Sequence, residues 1–177
     1  LTHFNASNPG SVSAPVFDND SRITRGMTSV TLRNDYGTTS GALGFFYNWG
    51  RHKIDDGYSA GEEPLDYRFN SRDRMMGVSW YQSASLFTGN RLTLGVDYQY
   101  FGGKAWNRFF DGSETVTADK NMHEVAGYAD FRQTIWSRLT LDVGLRVDHH
   151  SHSGTQWIPQ GGVSVNVAKN AQIKAMA

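Results

Sequence analysis

Two stretches of this chain alternate apolar and polar residues without a break. In Arg91–Tyr100, Leu92, Leu94, Val96, Tyr98 and Tyr100 fall on one face, with Arg91, Thr93, Gly95, Asp97 and Gln99 on the other. In Arg138–Asp148, Leu139, Leu141, Val143, Leu145 and Val147 oppose Thr140, Asp142, Gly144, Arg146 and Asp148. Successive side chains of a strand point to opposite faces, so each stretch is a strand with one oily and one wet face. A helix would need apolar residues three and four apart, and the charged positions break that template. Ten strand residues reach about 33 Å, which at a tilt of roughly 40° spans about 25 Å. That is the height of the apolar band on a barrel that crosses an outer membrane, whereas strands of water-soluble proteins average about 5–6 residues.

The same pattern predicts eight strands, at about Gly26–Asp35, Ser40–Lys53, Arg72–Ser83, Arg91–Gly102, Asn121–Gln133, Arg138–Asp148, Trp157–Val167 and Gln172–Ala177. Residues 1–25, rich in Asn, Ser, Pro, Gly and Asp, read as loop. Connections are expected to run alternately short and long, with long polar loops before Asn70, over Gly103–Lys120 and through His149, His150 and His152. Such asymmetry suits a barrel with one rim in the periplasm and the other outside. The expected fold is therefore all-β: an antiparallel up-and-down meander of about eight strands, part of a larger transmembrane β-barrel. As domain organisation, 1–177 is one partial barrel domain, with strands and loops over 26–177 and both ends expected to be cut.

Composition narrows this further. The chain has 177 residues, 17 Lys+Arg against 17 Asp+Glu and no cysteine, so neither a charge surplus for nucleic acid nor a thiolate site is available. Mean hydropathy is −0.51, and no run of about 18 apolar residues exists to form a spanning helix. A spanning β-barrel remains, because half of every such strand is polar. Tyr98, Tyr100 and Trp106 gather towards one strand end, as do Tyr47 and Trp49, while Trp136 sits at a short turn. Rings with a polar handle favour the two membrane–water interfaces.

Two segments carry a family resemblance. Tyr128-Ala129-Asp130-Phe131-Arg132, leading into Arg138-Leu139-Thr140-Leu141-Asp142-Val143-Gly144-Leu145-Arg146-Val147-Asp148, is similar to a strand pair of TonB-dependent outer-membrane receptors. In that pair an aromatic-rich strand turns into a Leu-X-X-Gly-Leu-Arg-aromatic-Asp strand; this chain has Val147 at the aromatic position. Trp157-Ile158-Pro159-Gln160-Gly161-Gly162-Val163-Ser164-Val165 resembles the strand that follows, with its Pro-X-X-Gly start. The specific match covers about 45 residues, and residues 26–102 agree in general style.

The resemblance implies a parent barrel of about 22 strands filled by a plug domain. It implies active uptake of a large scarce nutrient, an iron complex such as a siderophore or haem, in the outer membrane of a Gram-negative bacterium. The partners it implies are outer-membrane lipid, the TonB complex acting through a plug not seen in this sequence, and the cargo. An isolated piece of such a wall has open strand edges and is expected to self-associate through them. Other readings of the same pattern are a passive porin-like barrel, an outer-membrane lipase or protease barrel, and a soluble β-barrel or sandwich binding module.

No enzyme is expected: Gly-X-Ser-X-Gly, His-Glu-X-X-His and a phosphate-binding loop are all missing, and no cofactor is implied. The candidate ligand contacts are His149, His150 and His152, whose imidazoles suit iron or haem iron, together with Arg72 and Arg74 at a strand start. Solvated loop histidines and an ion-paired rim are the plainer readings of both groups, and no metal site is assigned. Asp18-Asn19-Asp20-Ser21 and the loop acids Asp55, Asp56, Glu62 and Glu63 lack the pattern of a calcium loop. Arg91, Asp97, Gln99, Asp142, Arg146 and Asp148 are expected to face the lumen, paired with one another or with the plug.

Overall fold

A computed structural model describes residues 2–6, 10–11, 14–17, 20–55, 58–59, 67–168 and 170–177. Twelve strands account for most of them: β1 (Thr2–Ala6), β2 (Gly10–Ser11), β3 (Ala14–Phe17), β4 (Asp20–Asp35), β5 (Thr39–Asp55), β6 (Tyr58–Ser59), β7 (Tyr67–Ala84), β8 (Asn90–Phe109), β9 (Glu114–Ile135), β10 (Leu139–His150), β11 (Gly154–Ala168) and β12 (Ala171–Met176). Nine form one sheet in the order β1-β4-β5-β7-β8-β9-β10-β11-β12, and β2, β3 and β6 form a small second sheet. The eight long strands β4, β5 and β7–β12 make the expected up-and-down antiparallel meander. The chain divides into two compact units, one of Leu1–Thr28, Phe46–Met76 and Tyr100–Met122, the other of Ser29–Phe45, Gly77–Gln99 and His123–Ala177.

The strands outrun the expected ones. β9 alone has 22 residues, an extended reach of about 70 Å. Gly103–Lys120, expected as a loop, is instead strand up to Phe109 and again from Glu114, closed by a turn in which Gly112 takes φ 89°. There the Phe109 amide bonds to Ser113 O at 2.9 Å, and the Ser113 amide donates to the Asp111 carboxylate at 2.8 Å. Hydrogen bonding from Ser113, by its side chain first and its amide second, holds the Asp111 carboxyl below its ordinary value. His149 and His150 likewise belong to β10 rather than to a loop, with a turn only at 151–153. Residues 2–6, read as loop, pair with β4 from Thr2↔Arg25 to Ala6↔Ser21. The connections at 36–38, 85–89, 110–113, 136–138 and 151–153 are all short, so the expected alternation of short and long loops does not hold among the described residues. The physical reason is shared by all these cases. Beyond the apolar span both faces of a strand are wet, so alternation vanishes from the sequence while backbone pairing continues.

The register fixes which side chains share a face. β10 pairs with β9 through Val143↔Phe131 and Arg146↔Tyr128, and with β11 through Val143↔Gly161 and Val147↔Trp157. In the second unit the apolar rows stand open: Val143 is 62% exposed and Trp157 68%. The polar side is better covered, with the Arg146 side chain 26% exposed and Asp97 22%. Among the described residues the buried hydrophobic core consists of Ala126. A water-soluble protein inverts this distribution, burying its oily faces and leaving charge in water.

Pro159 fits the same register. Gly161 exchanges both backbone bonds with Ala177, so Pro159, two residues earlier, directs its nitrogen to that same edge and away from β10, with which β11 pairs along this stretch. Proline has no amide hydrogen to lose there.

The β9–β10 turn is strained. Trp136 and Ser137 sit at φ 50° and 58°, the left-handed region that L-residues enter at a cost of about 1–2 kcal/mol each. Asn-Gly is the pair such a turn prefers. Ser137→Gly is expected to stabilise the folded protein by about 1 kcal/mol, read as a shift in the urea midpoint at unchanged slope. A lower midpoint would show that Ser137 makes a compensating contact.

Candidate functional site

Alternation along β8, β9 and β10 puts Asp97, Glu124, Tyr128 and Arg146 on one polar wall. Arg146 is its centre. Its Nη1 donates to Asp97 at 2.7 Å across the intervening β9, and its Nε donates to Asp148 at 2.7 Å. Glu124 lies 4.0 Å from Nη2, and the guanidinium carbon is 5.8 Å from the Tyr128 ring centroid. One cation thus holds three carboxylates while resting on an aromatic face, which a planar guanidinium can do and an ammonium cannot.

A neighbouring pair, Arg132 and Asp142, faces directly across the β9–β10 register. Further along, Thr134 and Thr140 share a hydroxyl bond at 3.1 Å, and Ser83 and Thr93 another at 2.8 Å. Arg91 donates to Ser40 at 2.6 Å. Of the six residues expected to face the lumen, Asp97, Arg146 and Asp148 form one network, Asp142 joins Arg132, and Arg91 stands apart on Ser40. Gln99 shares their face by alternation.

Sequence reading missed Glu124, Arg132 and the Tyr128–Gly95 contact. The Tyr128 ring lies over Gly95 of β8, where an added Cβ would penetrate the ring. Gly144 leaves room in the same way for Asp130 on β9. A glycine opposite a large side chain on the adjacent strand lets that side chain lie flat along the wall. The signal is present in the sequence, but reading it requires the register. Gly95→Val should therefore lift Tyr128 from beneath Arg146 and cost about 2 kcal/mol, in the range of overpacked cores. Chemical denaturation checks this, and Gly95→Val combined with Tyr128→Ala should recover most of the loss. A Gly95→Val variant as stable as its parent would deny the contact any role.

The candidate ligand residues fall elsewhere. His149 Nδ1 shares a hydrogen bond with Thr155 Oγ1 at 2.8 Å. His150 Nδ1 accepts from the amides of His152 and Ser153 at 3.1 and 3.2 Å, so this nitrogen caps the 151–153 turn. Neighbours on a strand point to opposite faces, so His149 and His150 do not converge. Among the described residues no three His, Asp or Glu side chains gather as a metal site.

Arg72 and Arg74 follow Met76 on the apolar face of β7, whereas Asp73 turns to the polar face and lies against Gly50. Arg74 donates to Tyr100 Oη at 2.9 Å, and Tyr100 donates to Asn121 at 2.6 Å. Asp18, Asn19, Asp56, Glu62 and Glu63 lie outside the described residues, as does the side chain of Asp55. Asp20 pairs with Arg22 at 2.9 Å.

Comparison with known proteins agrees with this geometry. Among solved structures, a mutant of the ferric enterobactin receptor PfeA from Pseudomonas aeruginosa superposes with TM-score 0.68 at 17% identity, over 88% of this chain and 25% of that one. The siderophore receptor PirA from the same organism gives 0.64 at 16% identity, over 92% and 27%. The copper transporter OprC gives 0.64 at 14% identity, over 85% and 29%. At these identities the likeness is one of fold, and the chain spans between 25% and 29% of each receptor's length. No curated protein matches. Residues 2–176 match the family described as TonB dependent receptor-like, beta-barrel, and the chain belongs to that family.

Proposed function

We propose that this chain is barrel wall of an outer-membrane receptor that actively imports a large scarce nutrient, an iron complex such as a siderophore or haem. The family is one of transport receptors, not enzymes. The observation that carries the reading is the inverted exposure, with open apolar rows on one face and an ion-paired polar wall on the other. Hydrocarbon suits the first face, and a hydrated lumen or a plug suits the second. In this reading the bacterium is Gram-negative, TonB acts through a plug domain, and Arg91, Asp97, Gln99, Asp142, Arg146 and Asp148 line the lumen. The ferric enterobactin receptor and the siderophore receptor of similar fold favour iron, and we assign contact with cargo to His152, exposed at the 151–153 turn.

Uptake of radiolabelled ferric chelates tests the proposal. Cells with the intact receptor should accumulate label, and cells lacking its gene should not. A protonophore should abolish the difference, because transport through TonB consumes the proton gradient. Accumulation that persists with the protonophore would favour a passive, porin-like barrel. Accumulation of copper but not iron would keep the mechanism and change the cargo.

A further inference from the structure

Within the first unit, a cleft of about 710 Å³ gathers cations where the apolar rows end. Arg72 and Arg74 continue the β7 row that carries Met76, and Arg51 continues the β5 row of Tyr47 and Trp49. Lys104 continues the β8 row of Tyr100 and Gly102. Four cations therefore share one face, and among the described residues of the cleft the carboxylate on that face is Asp119. Arg51, Arg72 and Lys104 make no ion pair with a described residue. Arg74 is already oriented, its guanidinium 5.2 Å from the Tyr100 ring and bonded to the phenol.

We propose that this cleft, at the end where β8 and β9 run on past the apolar span as the outer side of such a barrel does, binds the phosphate of an outer-leaflet lipid headgroup, with Arg51, Arg72 and Lys104 supplying the charge and Trp49 and Tyr47 lying against the glycolipid. Three features of the cleft select that occupant. An ordinary solvated rim intersperses both signs of charge, but among the described residues this face of the cleft has a surplus of three cations. A free anion would gain nothing from the flanking rings, whereas a headgroup meets rings and cations together at the membrane–water boundary. The volume lies within the range of small-molecule sites, about 300–1,000 Å³, and admits a phosphorylated sugar.

The inference rests on the reading of this face as lipid-facing. It assigns Arg72 and Arg74 to lipid rather than to nutrient capture. The cations anchor the wall at the height where hydrocarbon gives way to headgroups, with long stems along the apolar rows and charged ends in the polar layer.

The test uses the intact receptor in mild detergent and native mass spectrometry. The probes are purified phosphorylated outer-membrane glycolipid and the same glycolipid after enzymatic dephosphorylation. The receptor should retain the phosphorylated form and bind the dephosphorylated form at least about tenfold more weakly. Replacing Arg51, Arg72 and Lys104 together by Ala should weaken retention about 100-fold. Arg51→Lys with Arg72→Lys should stay within about threefold, since the charge remains. Inorganic phosphate at millimolar concentration should leave the lipid bound.

Equal binding of the two glycolipids, or full retention by the Ala variant, would overturn the proposal; displacement by inorganic phosphate would make this a free-anion site and overturn it too. Should the Ala variant fail to fold, the two glycolipids on the unaltered receptor still decide. A receptor that stays monomeric and soluble without detergent would instead remove the lipid-facing reading itself.

Discussion

Val143→Arg in the intact receptor is expected to cost roughly 2–4 kcal/mol of folding stability in lipid, the largest single-residue effect on the apolar face. Val143 is the third of five apolar residues from Leu139 to Val147, and at 62% exposure no protein group covers it. A guanidinium there meets hydrocarbon at mid-depth with no partner within reach. Gln160→Arg is the matched control. Gln160 pairs with Gly144 on the polar wall, beside Asp130, where an added cation meets carboxylate and water. The control should fold within about 0.5 kcal/mol of its parent. Urea titration in phospholipid vesicles, followed by the folded band in cold gel electrophoresis, measures both. The opposite ranking would mean that the apolar rows face inward, and the outer-membrane reading would fail with them.

The membrane-crossing part of the fold is legible because one physical demand writes every second residue. Along Arg91–Tyr100 and Arg138–Asp148, hydrocarbon on one side and water on the other leave alternation with no break. The same demand explains what stays hidden. Thr115, Thr117 and Asp119 continue β9 well past the apolar span, where both faces are wet and only backbone pairing holds the strand. A reading based on periodicity begins the strand at Asn121, seven residues late. His149 and His150 fall into the same blind zone at the end of β10.

The polar wall is half legible. Asp97, Asp142, Arg146 and Asp148 follow from counting along their own strands, which gives the face but not the partner. That Arg146 bonds Asp97 two strands away depends on registers set by turns, including one whose Trp136-Ser137 lacks a turn-forming signature. Arg72 and Arg74 are the complementary case. Counting from Met76 places them on the apolar face, whereas their charge points towards a ligand.

Arg146→Leu is the second large effect, and its sign separates a wall held by charge from one merely decorated with it. Removing the guanidinium leaves Asp97, Asp148 and Glu124 facing one another with no neutralising partner at their centre. Breaking a buried ion pair costs about 3–5 kcal/mol. These groups are between one-fifth and one-third exposed, so solvent screening brings the expected loss to about 2 kcal/mol. Arg146→Lys should lose about half as much, because an ammonium cannot hold Asp97 and Asp148 in separate directions while lying on Tyr128. Adding Asp97→Asn to Arg146→Leu removes one of the stranded charges and should return about 1 kcal/mol. The double-variant cycle in urea reads this coupling directly. Additive losses would mean that Arg146 and Asp97 do not sense each other, and that their bond adds nothing to the wall's stability.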